Sequence, residues 1–346
     1  MRNRSPCRLE CVGGSLRRAG HVTISNVAAA AGVSKATVSR VMNGVSTVAP
    51  EFVDRVRDAA DRLGYLPSAT AQNLSRGRTG AVGVLVPDLA NPLYTLMLKG
   101  IEFQARDDGY HTLVADTNEE PEQEPWRAAE LARQSDGLIL CGPRMSDAAL
   151  AELTTTGLPV VVVNRRSARG LFLSVWVDCR EAIDGLVAHL RELGHRRVAY
   201  LAGPERSAAD ADRWTALQAA TTRPMRLTRV AAGAMMDDGY RVADQALEQG
   251  ATGLVGYNDL VALGAMARLA ERGIAVPDQV SVAGIDDITY ARYTSPALTT
   301  IAVPQADFGR EAWRLLAPSL LGRKGRRSRT LSARLVLRAS TGPAPR

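Results

Sequence analysis

At 346 residues, with a formal net charge of +7 and 46% apolar side chains, the chain can form two or three folding units, each with a sizeable core. No apolar run approaches the ~18 residues needed to cross a bilayer, and the arginine-bearing stretch 1–20 lacks the continuous apolar segment of an export signal, reading instead as a disordered basic tail. The four cysteines, Cys7, Cys11, Cys141 and Cys179, are spaced for neither zinc nor a disulfide framework, so a cytoplasmic protein without metal or cofactor is expected.

The first structured stretch, Thr23 to Asn43, holds two short helical patterns separated by Gly32 and Val33. Thr23 can cap the first helix and Ser34 the second. Ile24, Val27 and Ala28 share one face of the first; Val38, Val41 and Met42 share one face of the second, with Ala36, Ser39, Arg40 and Asn43 roughly opposite. That division suits a helix lying in a DNA major groove, which needs a slim, donor-rich outer face. Pattern and spacing alone fit an ordinary helical hairpin equally well. A third amphipathic helix begins near Glu51, with Val53, Val56, Ala60 and Leu63 on its apolar side, and ends at Gly64. The segment after Pro67 predicts a further helix, too short and polar to persist unaided.

From Ala81 onward, apolar strand-like runs alternate with helical stretches: AVGVLVPD, TLVADT, GLILCG and PVVVVN, then VWVD, RVAYLAG, GLVGYN and VSVAGID. Continuous Val/Ile/Leu runs separated by helices indicate parallel sheets buried on both faces. Two such series predict two doubly wound α/β lobes with a crevice between them, and ligands of such sheets bind at the carboxyl ends of the strands. Those ends carry Asp88 and Asn91, Asn164 and Arg165, Asn258 and Asp259, and Asp286 and Asp287. The basic run Arg323–Arg329 reads as a solvated face.

The stretches VTISNVAAAAGVSKATVSRVMNG, LGYLPSATAQNL, GRTGAVGVLVPDLANPLY, ELGHRRVAYLAGP, YNDLVALGAM, VPDQVSVAGIDD and LTTIAVPQADFGREA, in that order, resemble the LacI/GalR family of bacterial transcription repressors from about Val22 to Gly342. The resemblance implies a helix-turn-helix headpiece (residues 21–66), a hinge helix (67–79) and a two-lobed core like periplasmic sugar-binding proteins (80–340), acting as a homodimer. Within the core, the expected first lobe is about 80–176 with 305–325, and the second about 177–303 with 326–340.

Carried over residue by residue, the family's base-reading positions fall on Lys35, Ala36 and Arg40; Arg40 can fork onto guanine, whereas Ala36 offers only a methyl contact. Thr23, Ser34, Thr37, Ser39 and Asn43 suit phosphates. Leu74 matches the leucine wedged into the operator's minor groove, Ala71 could pack against its dimer mate, and Ser68 stands where the family often has asparagine. The family's ligand contacts fall on Asp88, Asn91, Asn164, Arg213, Asn258 and Asp286, a set suited to a sugar, polyol or nucleoside-like effector whose hydroxyls donate and accept together. Trp176, Trp214 and Tyr257 are near enough in sequence to stack on a sugar ring or to be core residues. Three departures bear on the pocket: Asn164 replaces the usual aspartate, Ala302-Val303 a frequent Arg-Gln, and Ala216-Leu217 a Gly-aromatic pair.

The expected function is therefore a sequence-specific regulator of a near-palindromic DNA operator, controlled by a small ligand. A free solute-binding protein of transport would have the same core, but the headpiece and the absent export signal argue against it. An enzyme would need a triad, a metal motif or a phosphate loop; the four histidines are dispersed and none begins one.

Overall fold

The computed structural model describes residues 22–42, 47–65, 78–167, 170 and 172–345. The chain divides into two compact units between residues 77 and 78. Among the described residues, no helix is long and apolar enough to cross a membrane.

The first unit has three helices: α1 (Ile24–Ala31), α2 (Lys35–Met42) and α3 (Pro50–Leu63). Thr23 opens α1 in a capping-box arrangement with Asn26, whose Oδ1 accepts from the Thr23 amide (2.9 Å) and hydroxyl (2.7 Å). The left-handed Gly32 ends α1, and the Ser34 hydroxyl accepts from the Thr37 amide at 3.0 Å to start α2. Val27, Ala28 and Ala31 pack with Val38, Val41, Val56, Ala59 and Ala60 to form the small core. Arg55 Nη2 donates to the Ala31 carbonyl at 2.5 Å, joining α3 to the end of α1.

The second unit contains two six-stranded sheets. In chain order its elements begin with β1 (Ala81–Val86), α4 (Pro92–Asp107), β2 (His111–Asp116), α5 (Glu124–Gln134), β3 (Leu138–Cys141), α6 (Asp147–Thr155), β4 (Val160–Val163) and β5 (Leu173–Asp178). The second series is α7 (Arg180–Glu192), β6 (Arg197–Ala202), α8 (Ala208–Ala220), β7 (Arg226–Ala231), α9 (Met236–Glu248), β8 (Gly253–Gly256), α10 (Asp259–Glu271) and β9 (Ser281–Asp286). A 3₁₀ turn (Thr289–Arg292), β10 (Thr299–Ala302), α11 (Gln305–Leu320), β11 (Ser328–Ser332) and β12 (Arg334–Val336) complete it. The strand orders are β11-β5-β4-β3-β1-β2 and β12-β10-β9-β8-β6-β7. Every pairing is parallel except β10 with β12.

The apolar strands of the first lobe are split by their two-residue period into two cores. Val82, Val84 and Val86, with Ile139 and Val161, face α4 and α11; Leu85, Leu138, Leu140 and Val162 face the layer containing Leu150. One boundary expected from sequence is corrected. Residues 326–340 do not all join the second lobe, because β11 lies in parallel register with β5 (Arg329 opposite Val175) and only β12 crosses to pair with β10. Likewise β5 stays in the first sheet as far as Asp178, two residues beyond the expected lobe boundary. The chain therefore passes between lobes at β5–α7, β10–α11 and β11–β12.

Each lobe contains a helix crossing closed by two glycines. A β-carbon on Gly100 of α4 would lie 2.3 Å from the Ala306 carbonyl oxygen, and one on Gly309 of α11 would lie 2.0 Å from that of Met97. In the second lobe a β-carbon on Gly239 of α9 would meet the Val261 oxygen at 1.9 Å, and one on Gly264 of α10 the Met236 oxygen at 1.9 Å. Helix propensity alone favours alanine over glycine by about 1 kcal/mol. The obstacle here is backbone, which cannot swing aside, and overpacking costs about 1–3 kcal/mol. Gly264→Ala is therefore expected to lower the urea midpoint of the full chain; an unchanged or raised midpoint would show that α9 and α10 do not meet at this glycine.

Candidate functional site

In the first unit, the hydrophobic spacing that buries Val38 and Val41 turns the other side of α2 outward. Lys35, Ala36 and Arg40 are exposed there, with Thr37 and Ser39 half-buried at its flanks and Ser34 exposed at its start. Thr23 is exposed at the start of α1. The surface thus offers two cations and short side chains on one slim helix, and the Ser34 hydroxyl also pairs with that of Thr37 at 2.9 Å. Asn43, Ser68, Ala71 and Leu74 lie outside the described residues.

In the second unit, the six sequence-predicted crevice residues divide by what holds them. Asp88 and Asn91 follow β1, where Asp88 Oδ1 accepts from the Ala90 amide (2.6 Å) and Asn91 Oδ1 from Leu93 (3.0 Å) as the cap of α4. Asn258 caps α10 through Val261 (2.9 Å) and donates to the Ala234 carbonyl (2.8 Å). These three side chains therefore take part in local structure. Asn164 follows β4 in a left-handed conformation (φ 61°) and lines a cavity of about 290 Å³. Arg213, on α8, lines the same cavity but turns its guanidinium inward. Its Nη1 donates to the Tyr257 carbonyl (2.5 Å) and its Nη2 to Asp286 Oδ1 (3.1 Å), and it lies 4.7 Å from the Tyr257 ring centre.

Burial dominates the electrostatics. Arg213 and Asp286 are 5% and 1% exposed. Loss of water raises the Asp286 carboxyl to about 6 despite the opposing pull of Arg213. Charge is nevertheless favoured on Arg213 because Asp286 answers it across the pair. Tyr257 rests on Gly203, where a β-carbon would come within 2.4 Å of its ring, and its hydroxyl pairs with Ser207 at 3.0 Å.

The remaining cavity wall includes Trp176, Asp178, Cys179, Asp184, Ala209 and Val303. Burial raises the Cys179 thiol to about 11, so it presents a neutral, apolar surface. Trp176 lines the cavity with the Arg166 guanidinium 5.3 Å from its ring centre, whereas Trp214 stacks on Tyr200 at 5.9 Å. Two further ion pairs span the lobes and carry no sequence signature, because their members are far apart in the chain: Arg166–Asp212 (3.4 Å) and Arg206–Glu122 (3.3 Å). Arg144, 4% exposed, pairs with Glu119 within the first lobe. Among the described residues no group of three or more His, Cys, Asp or Glu could hold a metal.

The profile of bacterial regulatory proteins of the lacI family matches residues 23–68, and a periplasmic binding protein-like domain matches residues 187–341. Over 333 residues the chain is 32% identical to the HTH-type transcriptional repressor CytR of Escherichia coli K12, spanning 93% of this chain and 97% of CytR. The lac repressor dimer bound to operator and the anti-inducer ONPF superposes with a TM-score of 0.81 at 27% identity, covering 93% of this chain and 100% of that one. A complex of the transcriptional regulator CelR with cellobiose superposes with a TM-score of 0.69 at 28% identity, covering 92% and 99%. The chain belongs to the lacI family of bacterial regulatory proteins, as a DNA-binding transcriptional regulator and not an enzyme, with a helix-turn-helix unit and a two-lobed ligand-binding core.

Proposed function

We infer that this protein is a repressor that grips a near-palindromic operator as a homodimer, and that a small polyhydroxylated effector bound between the core lobes sets the strength of that grip. The observation that carries the reading is the cavity between the lobes, lined by Asn164, Trp176 and Arg213, with Asp286 held behind Arg213. An aromatic plate beside an amide and a paired guanidinium suits a sugar-sized ligand. The repressor name of CytR, the operator-bound lac repressor dimer and the cellobiose complex of CelR support the same assignment.

The coupling works through lobe angle. The spanning pairs Arg166–Asp212 and Arg206–Glu122 are more than half exposed in every side chain but one, which is half exposed. Such pairs contribute about 0–1 kcal/mol each, so a ligand of ordinary affinity can reset the angle between lobes. Exposed Phe103 and Val114 on the first lobe, with Tyr290 and Tyr293 on the second, supply apolar surface for a second copy. A two-fold dimer requires half-sites about 34 Å apart or a multiple of it.

Two measurements test this reading. Arg40→Ala is expected to cost about 1–3 kcal/mol of operator affinity and to relax preference at one base pair per half-site in anisotropy titrations. A loss uniform over all sequences would instead assign Arg40 to phosphate. For the crevice, the Asp286 carboxylate is charged above about 6 and neutral below, so its strength as an acceptor falls with pH. Calorimetric affinity for a sugar effector is expected to weaken between pH 7.5 and 5.5 through about pH 6, and Asp286→Asn to remove that slope. A slope that persists in the variant would take Asp286 out of the ligand site.

A further inference from the structure

The run Arg323–Arg329 holds five cations in seven residues, and no acidic residue occurs from Leu321 to Arg338. It joins α11 to β11 and is exposed throughout. Three structural features distinguish it from ordinary solvated surface.

The first is that its charges are unanswered. Arg166, Arg180, Arg206 and Arg213, which line or span the crevice, each have a carboxylate partner. In the run, Arg329 pairs with Glu311 at 3.4 Å and Arg327 donates to the Gly170 carbonyl. Arg323, Lys324 and Arg326 have no side-chain partner among the described residues. The dipole of α11 favours a cation just past its end, but its influence fades within one turn, so it accounts for one charge and not for three.

The second feature is shape. Gly322 is left-handed (φ 68°), and the Arg323 amide donates to the Pro318 carbonyl at 2.8 Å. A β-carbon on Gly325 would lie 3.2 Å from the Pro318 ring, so the loop folds back on the end of α11. At its other end the Arg327 carbonyl accepts from the Ser174 amide at 3.0 Å. Both ends are tied down while the side chains of residues 323–326 stand in solvent.

The third is position. Parallel pairing places the amino ends of β1, β3, β4, β5 and β11 on the edge of the sheet opposite the crevice. The chain enters its second unit at that edge: after Arg78, the amides of Thr79 and Gly80 donate to the Asp136 carboxylate, each at 2.8 Å. β11 is four strand spacings from β1, about 19 Å across the sheet. The ends of α4 and α5 add the exposed Arg106 and Arg133 to the same edge.

We propose that residues 323–326 are an additional DNA contact, made by the core, which holds phosphates of the duplex outside the two half-sites. Guanidinium forks and an ammonium match phosphate oxygens. No apolar side chain occurs from Gly322 to Thr330, whereas a protein interface is built around an apolar centre. Contacts of this kind carry no sequence preference; they lengthen the footprint and steepen the dependence of affinity on salt. The assignment rests on the reading of the protein as a dimer on a near-palindromic operator.

The test uses the full chain and an operator selected by it from random duplexes. One duplex carries the two half-sites alone, and a second is extended by about two helical turns, ~20 bp, at each end. Anisotropy titrations over a series of salt concentrations are expected to show the wild type binding the long duplex about tenfold more tightly, with a steeper salt slope. The triple variant R323Q/K324Q/R326Q, checked for folding by circular dichroism, is expected to lose that preference and to lower the slope on the long duplex by about 1 per phosphate released. Its affinity for the short duplex stays unchanged, and the charge-keeping R323K/R326K retains the preference. A wild type indifferent to length, or a triple variant that keeps the preference, would overturn the contact and leave the operator reading intact. Equal weakening on both duplexes would overturn its placement outside the half-sites. Polyglutamate bound by the wild type and not by the triple variant, without any effect of duplex length, would assign the loop to an acidic protein instead. A wild type from which no operator can be selected would overturn both readings together.

Discussion

A strand buried on both faces has no place for a polar side chain except at its ends. In this core the constraint applies to the inner strands of each sheet: Val82, Ile139, Val161, Val255 and Ile285 are wholly buried, as are neighbours facing the opposite way. Polar residues are consequently driven to the strand termini, and parallel pairing gathers the carboxyl termini of each sheet along one edge. Asp88, Asn164 and Asn258 follow strands in this way, and Asp286 ends one. The crevice is the consequence of that sorting, before any specific ligand contact is considered.

The same constraint explains why so much of the site is occupied with holding itself. Loops that leave a dry sheet must satisfy their own backbone amides, and the side chains nearest to hand do it: Asp88, Asn91 and Asn258 all accept from amides two or three residues on. Arg213 differs because it comes from a helix and reaches across to the end of β9. A buried guanidinium needs a partner, and Asp286 with the Tyr257 carbonyl supplies one. Asn164 and Trp176, by contrast, line the open volume of the cavity. The ion pairs that span the two lobes are exposed, while each lobe contains a helix crossing closed by two glycines.

Local chemistry made much of this legible in the residues alone. The spacing of Val38 and Val41 determined which side of α2 turns outward, because a helix with one apolar stripe has one way to pack; Lys35, Ala36 and Arg40 follow from it. Continuous apolar runs determined parallel sheets, with a polar residue at or just past the carboxyl end of each run. Tertiary structure alone decided the return of β11 to the first sheet, since Ser328–Ser332 has no apolar run and gains its place from pairing with β5. It alone turned Trp214 onto Tyr200 and Trp176 toward the cavity, a choice set by helix and strand facing that periodicity leaves open over so few residues. Glu119 with Arg144, Arg166 with Asp212, and Glu122 with Arg206 were likewise invisible in the chain, because an ion pair is a relation in space between residues that share no period and no motif.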